Sequence, residues 1–222
     1  MIVAGAALVA LLTTCAPDVA PSTMAAIVAV ESSGNDLALN DNTTHRSYAP
    51  TDYTIALATT KALIRQGHSV DVGIAQVNSS NFSTYRTTAG EMLDPCRNLH
   101  IASRILADNY ADARTVFPEA GHALWHAISA YNTGSLYAGK TYVDRVVAAA
   151  TRETRVPSIA LLTGDSKSDR AVSVDVRKRS KAVRTIVRTS RLNDFAFAKP
   201  NTTNLVINSS SLRHDTDSFD RK

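Results

Sequence analysis

The chain has little cysteine, few aromatic residues and no long apolar run beyond its first residues. Two cysteines, Cys15 and Cys96, are too few for a zinc site built on thiolates. They leave two readings. One is a single disulfide in an exported protein, which would close a loop of about 80 residues and add about 4 to 5 kcal/mol on the chain-entropy model. The other is two reduced thiols buried in a core. Glycine and proline are not enriched, which excludes a collagen-like or wholly disordered chain, and an apolar fraction of 44% suffices for a core. No segment beyond residue 14 is apolar and long enough to cross a bilayer. The opening MIVAGAALVALLTT is apolar but short, and no Lys or Arg precedes Arg46, so the basic region of a signal peptide is missing. Residues 1–22 therefore read as a signal-like segment or as an amphipathic first helix. His122 and His126 stand four apart on one predicted helix, but no third metal ligand follows at useful spacing. They read as structural or surface groups, and neither a metal nor a cofactor is expected.

The formal net charge of +4 is unevenly placed. Residues 1–150 hold nine Lys/Arg against twelve Asp/Glu, whereas residues 151–222 hold fifteen against eight. The basic balance belongs to the second segment and says little about the chemistry of the first. Residues 10–150 carry helical periodicity and turn signals; residues 151–222 are rich in Ser, Thr, Asn, Asp, Lys and Arg without a sustained period, and read as a mostly disordered basic tail. Helices are predicted over 23–32 with Thr23 as cap and Gly34-Asn35 as stop, over 51–66 opened by Thr51 or Asp52, over 95–114 after the Asp94-Pro95 start, over 121–131, and over 142–150. Residues 70–78, VDVGIAQVN, alternate as one short extended or ribbon segment. The fold class is mainly α with a small β-ribbon.

Met24, Ile27, Val28 and Glu31 share one helix face, so a glutamate occupies a position that the pattern assigns to the core. It also sits in the last turn, where the helix dipole disfavours negative charge. Burial and dipole both push its pKa up. A carboxylic acid still protonated near neutral pH can donate to a leaving oxygen, as glycosidic bond cleavage requires. The competing reading is a helix-end glutamate whose head reaches solvent. Two further segments weigh against it. In GIAQVN, at 73–78, Gln76 and Asn78 fall on one side of an extended segment, and their amides suit sugar hydroxyls and acetamido groups. In SAYNTG, at 129–134, the stripe Leu124, Ala127, Ile128, Tyr131 ends in a tyrosine whose hydroxyl can orient a buried carboxyl. Taken alone, the first is a weak signal that an ordinary polar edge strand also gives, and the second is more commonly a core tyrosine with a satisfied hydroxyl.

The ordered set ESSGN at 31–35, GIAQVN and AYNTG resembles the lytic transglycosylases of the goose-type lysozyme fold. Cys15-Ala16-Pro17, Asp41-Asn42-Thr43-Thr44, Gly67-His68-Ser69-Val70-Asp71 and Asp94-Pro95-Cys96-Arg97-Asn98-Leu99 look like the branch that accompanies type IV secretion and conjugation systems. The resemblance covers roughly residues 10–150. It implies a lysozyme-like domain there, with Glu31 as catalytic acid/base and Ser32 following it. It implies that Gln76 and Asn78 line a glycan groove, that Ser69 contacts substrate, and that Tyr131 hydrogen-bonds the carboxyl of Glu31 with Asn132 beside it. Ala75 departs from the methionine that most relatives carry. The shared cysteines of that branch imply a Cys15–Cys96 disulfide and a periplasmic or exported protein.

The implied reaction opens the β-1,4 bond between N-acetylmuramic acid and N-acetylglucosamine and leaves a 1,6-anhydro product, with no metal or cofactor. One competing reading is a goose-type hydrolase, for which Asp36, Asp41, Asp52 and Asp71 are candidate second carboxylates. Another is a wall-binding assembly factor without turnover. The partners implied are peptidoglycan glycan strands and, through the tail, type IV secretion components. The basic run RKRSKAVRTIVRTSR at 177–191 contains no aromatic residue to stack on bases, so no nucleic acid is expected.

Overall fold

The structure is a computed structural model that describes residues 1–153. The basic segment, including 177–191 and its expected disorder, lies outside the described residues.

Six α-helices and a small sheet make up this part. Helix α1 is Gly5–Cys15 and α2 is Pro21–Glu31. Proline opens α2 because the first helical residue has no intrahelical use for an N–H and its φ is already helical. This moves the start ahead of the expected Thr23 cap: Ala20 is the N-cap, and Thr23 is buried inside the helix. The expected stop at Gly34-Asn35 also comes earlier, with Ser32 as C-cap. Next come β1 Leu39–Asp41, β2 Arg46–Tyr48 and α3 Tyr53–Arg65, the last capped by the Asp52 side chain, which accepts from the backbone N–H of Thr54 and Ile55. After β3 Val70–Val72 and β4 Val77–Asn78, α4 spans Pro95–Val116 with Asp94 capping Arg97 N–H. Helix α5 is Ala120–Thr133, closed by Gly134 at φ 70°, and α6 is Lys140–Glu153.

The sheet order is β2-β1-β3-β4, with every pair antiparallel. The β1–β2 hairpin carries no alternation strong enough to be read from sequence. It is held at its turn by Asp41, whose buried carboxylate accepts from Thr43 N, from Thr44 N and Oγ1, and from His68. Burial raises the pKa of Asp41, but the hydrogen bonds from Thr44, His68 and Thr43 outweigh it and hold it at about 2. Residues 70–78 do not form one extended segment. Gly73 at φ 82° and Gln76 at φ 51° turn the chain between β3 and β4, so Gln76 and Asn78 do not share a side of one strand. A side chain at 73 would strike the carbonyl of Met92 and the amide of Asn98. Asn98 is fully buried and stitches this turn to α4: its Nδ2 donates to Val72 O and Met92 O, and its Oδ1 accepts from Ala75 N.

The core lies where α2 runs among the other helices. Met24, Ala26, Ile27 and Val28 are fully enclosed, in one buried cluster with Leu99, Leu106, Leu124, Ile128, Val143 and Val146. Each large side chain so buried stabilises the fold by about 1.5–3 kcal/mol. Helix α1 packs through Leu8, Leu12 and Cys15, and a Cys15–Cys96 disulfide ties its end to the first turn of α4. Phe117 stacks on His126 at 3.7 Å between ring centres, and His126 Nδ1 lies 2.6 Å from Leu136 O, which gives that histidine a structural place. Among the described residues no helix is long and apolar enough to cross a membrane.

Candidate functional site

Burying the apolar stripe of α2 brings its last residue, Glu31, to the wall of a cleft rather than to open water. The cleft has two arms. The smaller, about 440 Å³, runs between the β3–β4 turn, the middle of α4 and the end of α5, past Asn81, Asn109 and Gly134. The larger, about 660 Å³, runs between the α2 end, the β1–β2 hairpin and α6, past Asn35, Tyr48 and Arg145. Glu31, Asn42, Asp71, Gln76 and Asn132 line both arms, so the carboxyl sits where they meet.

Glu31 Oε1 accepts a hydrogen bond from Tyr142 Oη at 2.5 Å. Burial pushes the Glu31 pKa up from 4.5 to about 7; the Tyr142 hydrogen bond pulls it down, nearby Asp71 raises it, and Arg145 lowers it. Desolvation wins because, among the described residues, the hydrogen bond from Tyr142 is the only one that compensates a carboxylate removed from water. The same environment pushes the Tyr142 hydroxyl well above its usual range, through burial and then the neighbouring Glu31 and Tyr131.

The resemblance implies Tyr131 as the partner of Glu31, and the structure places Tyr142 there instead. Tyr131 lines the smaller arm, but its hydroxyl donates to Ala75 O at 2.7 Å, while Tyr142 from α6 takes the carboxyl. Both tyrosines occupy core-facing helical positions, and sequence periodicity does not say which phenol arrives at which acceptor. Ser32 lines the larger arm, but its Oγ donates to Ile74 O at 2.6 Å and accepts from Gly34 N, pinning the α2 end to the β3–β4 turn. Gln76 lines both arms; its Nε2 donates to Ala38 O and Gly73 O, which leaves its amide oxygen to offer. Asn78 lines the smaller arm with both ends of its amide engaged: Nδ2 donates to Ser69 Oγ and Asp71 Oδ1, and Oδ1 accepts from Ser80 N. Ser69 lines neither arm: it braces Asn78 from behind and accepts Asn42 N–H on its carbonyl. Asn132 is exposed at the lip of both arms.

The four candidate second carboxylates separate cleanly. Asp36 meets the amino terminus of Met1, Asp41 closes the hairpin, and Asp52 caps α3. Asp71 alone of the four faces the cleft, where Asn42 and Asn78 donate to it at 2.7 Å each and Asn40 at 3.4 Å. The spacing of residues in the chain carries no trace of this clamp, because the three amides come from two strands and the loop after β1. Among the described residues no group of three or more His, Cys, Asp or Glu is placed to hold a metal ion.

The transglycosylase SLT domain family model matches residues 11–147. Protein virB1 of Agrobacterium fabrum strain C58 is 41% identical over 158 residues, covering 70% of this chain and 62% of that protein. Protein virB1 of Rhizobium radiobacter is 42% identical over 147 residues, covering 65% and 60%. The type IV secretion system protein virB1 of Brucella suis biovar 1 is 37% identical over 183 residues, covering 78% and 76%. The chain thus spans about three fifths of the length of the Agrobacterium and Rhizobium relatives it matches. No solved structure matches.

Proposed function

The chain belongs to the transglycosylase SLT domain family, and from that premise we propose that it cleaves the glycan strands of peptidoglycan as a lytic transglycosylase, with Glu31 as acid and then base. The reading rests most on one observation: a buried carboxyl held by Tyr142 at the junction of two cleft arms, where burial pushes its pKa up to about 7. A strand laid through both arms presents a glycosidic oxygen to that carboxyl.

Protonated Glu31 gives its proton to the bridging oxygen between N-acetylmuramic acid and N-acetylglucosamine as the C1–O bond breaks. The substrate's 2-acetamido group stabilises the cationic C1. The Glu31 carboxylate then removes the proton from the C6 hydroxyl, and O6 closes on C1 as the 1,6-anhydro ring. The carboxyl ends as it began, and no water is consumed. A pKa near ambient pH serves both steps. Asn132 and the Gln76 amide oxygen meet sugar hydroxyls, while Asn78 acts one step removed, by holding Asp71, and Ser69 braces Asn78.

Mass spectrometry of muropeptides released from purified peptidoglycan tests this reading. Anhydro ends are expected, and their disappearance in Glu31→Gln. A Glu31→Gln protein that still clears a peptidoglycan gel at the wild-type rate would overturn the assignment and leave a different catalyst or a binding role.

One observation favours a second reading. Asp71 is a fixed carboxylate in the same cleft as the acid, the pairing by which glycoside hydrolases position water. Reducing ends in place of anhydro ends, lost in Asp71→Asn, would assign a goose-type hydrolase instead. By similarity to the virB1 proteins, the site of action proposed is the periplasm or cell exterior, with local opening of the wall for a type IV secretion apparatus.

A further inference from the structure

The two arms of the cleft differ in charge. Among the described residues, the smaller arm is lined mainly by amides, hydroxyls and the shared carboxylates, with no Lys or Arg. Among the described residues, the larger arm has one cation, Arg145, in a lining that includes Asn35, Asn40, Ser47 and Tyr48. Arg145 lies one turn beyond Tyr142 on α6, so one helix supplies both the group that holds Glu31 and this guanidinium. Its Nη2 donates to Val30 O at 3.2 Å, which orients the fork against the end of α2 and leaves further N–H donors. The neighbouring acid on its own helix, Asp144, pairs with Lys140 at 3.0 Å instead. An arginine so oriented, in a cleft already bearing Glu31 and Asp71, is what an incoming carboxylate needs. Without it Asp71, and Glu31 whenever it has lost its proton, repel a charged substrate; with it, a planar fork matches carboxylate geometry.

We infer that Arg145 is a specificity residue, pairing with a carboxylate carried by the glycan unit seated in the larger arm. The carboxylate is that of the 3-O-lactyl group, or of the stem peptide attached to it. This inference rests on the glycan-cleaving reading above. The neutral arm takes the uncharged sugar stretch across the junction.

Binding is measured on the Glu31→Gln protein, which removes turnover, by calorimetry at low and moderate salt. Three probes are used: a neutral chitooligosaccharide, strands stripped of peptide with free lactyl carboxylates, and peptide-bearing strands with their carboxyls free or amidated. We expect a roughly fivefold preference for carboxylate-bearing strands, weaker at higher salt and abolished by adding Arg145→Gln. Arg145→Lys restores part of it, since the charge returns without the fork. A preference already present in stripped strands identifies the lactyl group. One confined to peptide-bearing strands and lost on amidation identifies the stem peptide. Equal affinity for neutral and charged probes, including no measurable binding of any, overturns the inference. So does a preference that survives Arg145→Gln, or a uniform loss for all probes together with a lower urea midpoint, which is the mark of a merely structural arginine. If the preference holds but Glu31-intact protein releases neither anhydro nor reducing ends, the cleavage reading fails and Arg145 keeps its role.

Discussion

At the scale of single residues, the site turns on how far one proton is held. The Glu31 pKa of about 7 in the fold stands above its ordinary 4.5. Below pH 4.5 the group is protonated whether the chain is folded or not, and its folded environment has no cost. Between about pH 4.5 and 7 the unfolded chain loses the proton first, so stability falls as pH rises, by about 3 kcal/mol in all. Urea unfolding of wild type and Glu31→Gln across pH 4 to 8 should show this fall in the wild type and a flatter curve in the variant, with the variant the more stable at pH 8. Activity should decline above pH 7 as the acid is lost.

The two tyrosines give a second test at this scale. Tyr142→Phe removes a hydrogen bond that favours the carboxylate, so the alkaline limb of the activity profile should move to higher pH and kcat should fall roughly tenfold as the carboxyl loses its orientation. Tyr131→Phe strips a donor from Ala75 O and should instead lower stability by about 1–2 kcal/mol while leaving the alkaline limb in place. Interchanged results would mean that Tyr131, as expected from the sequence resemblance, holds the acid in solution.

At the scale of elements, the cleft depends on two junctions. The Cys15–Cys96 disulfide spans 81 residues and joins α1 to α4. Its reduction should lower unfolding stability by about 4 kcal/mol, seen as a lower urea midpoint in the presence of a reductant. The β3–β4 turn is the other. Gly73 adopts a left-handed φ beneath Asn98 and Met92, so Gly73→Ala adds both backbone strain and a clash with a carbonyl. A loss above about 3 kcal/mol is expected, well beyond a surface Gly→Ala change; calorimetric unfolding near wild type would refute the tight approach. Helix α5 was legible because its stripe, from Leu124 to Tyr131, is long and regular. The β1–β2 hairpin was not, because three-residue strands in which one strand is largely exposed show no alternation to read. The break inside 70–78 escaped for a related reason: a positive φ at Gln76 is set by what its amide reaches, Ala38 O and Gly73 O, and not by its own preference.

At the scale of the molecule, the family model ends at residue 147 and α6 closes the core through Tyr142, Val143, Val146 and Ala150. A chain ending at residue 153 should therefore fold cooperatively and keep its activity on soluble glycan strands, measured as kcat/KM within about twofold of the full chain. A larger loss would assign the basic segment a part in substrate binding.

The residues themselves determined that a carboxyl would stand at the end of an apolar stripe, since helical period and burial act within one segment. The same holds for the Asp52 and Asp94 caps, where donor and acceptor are neighbours in the chain. Which phenol meets Glu31, which of four aspartates faces it, and that Arg145 stands in one arm were decided only when separate segments packed. Those outcomes depend on directions and distances between elements far apart in the chain, and hydrophobic spacing carries information about faces, not about what two faces bring into contact.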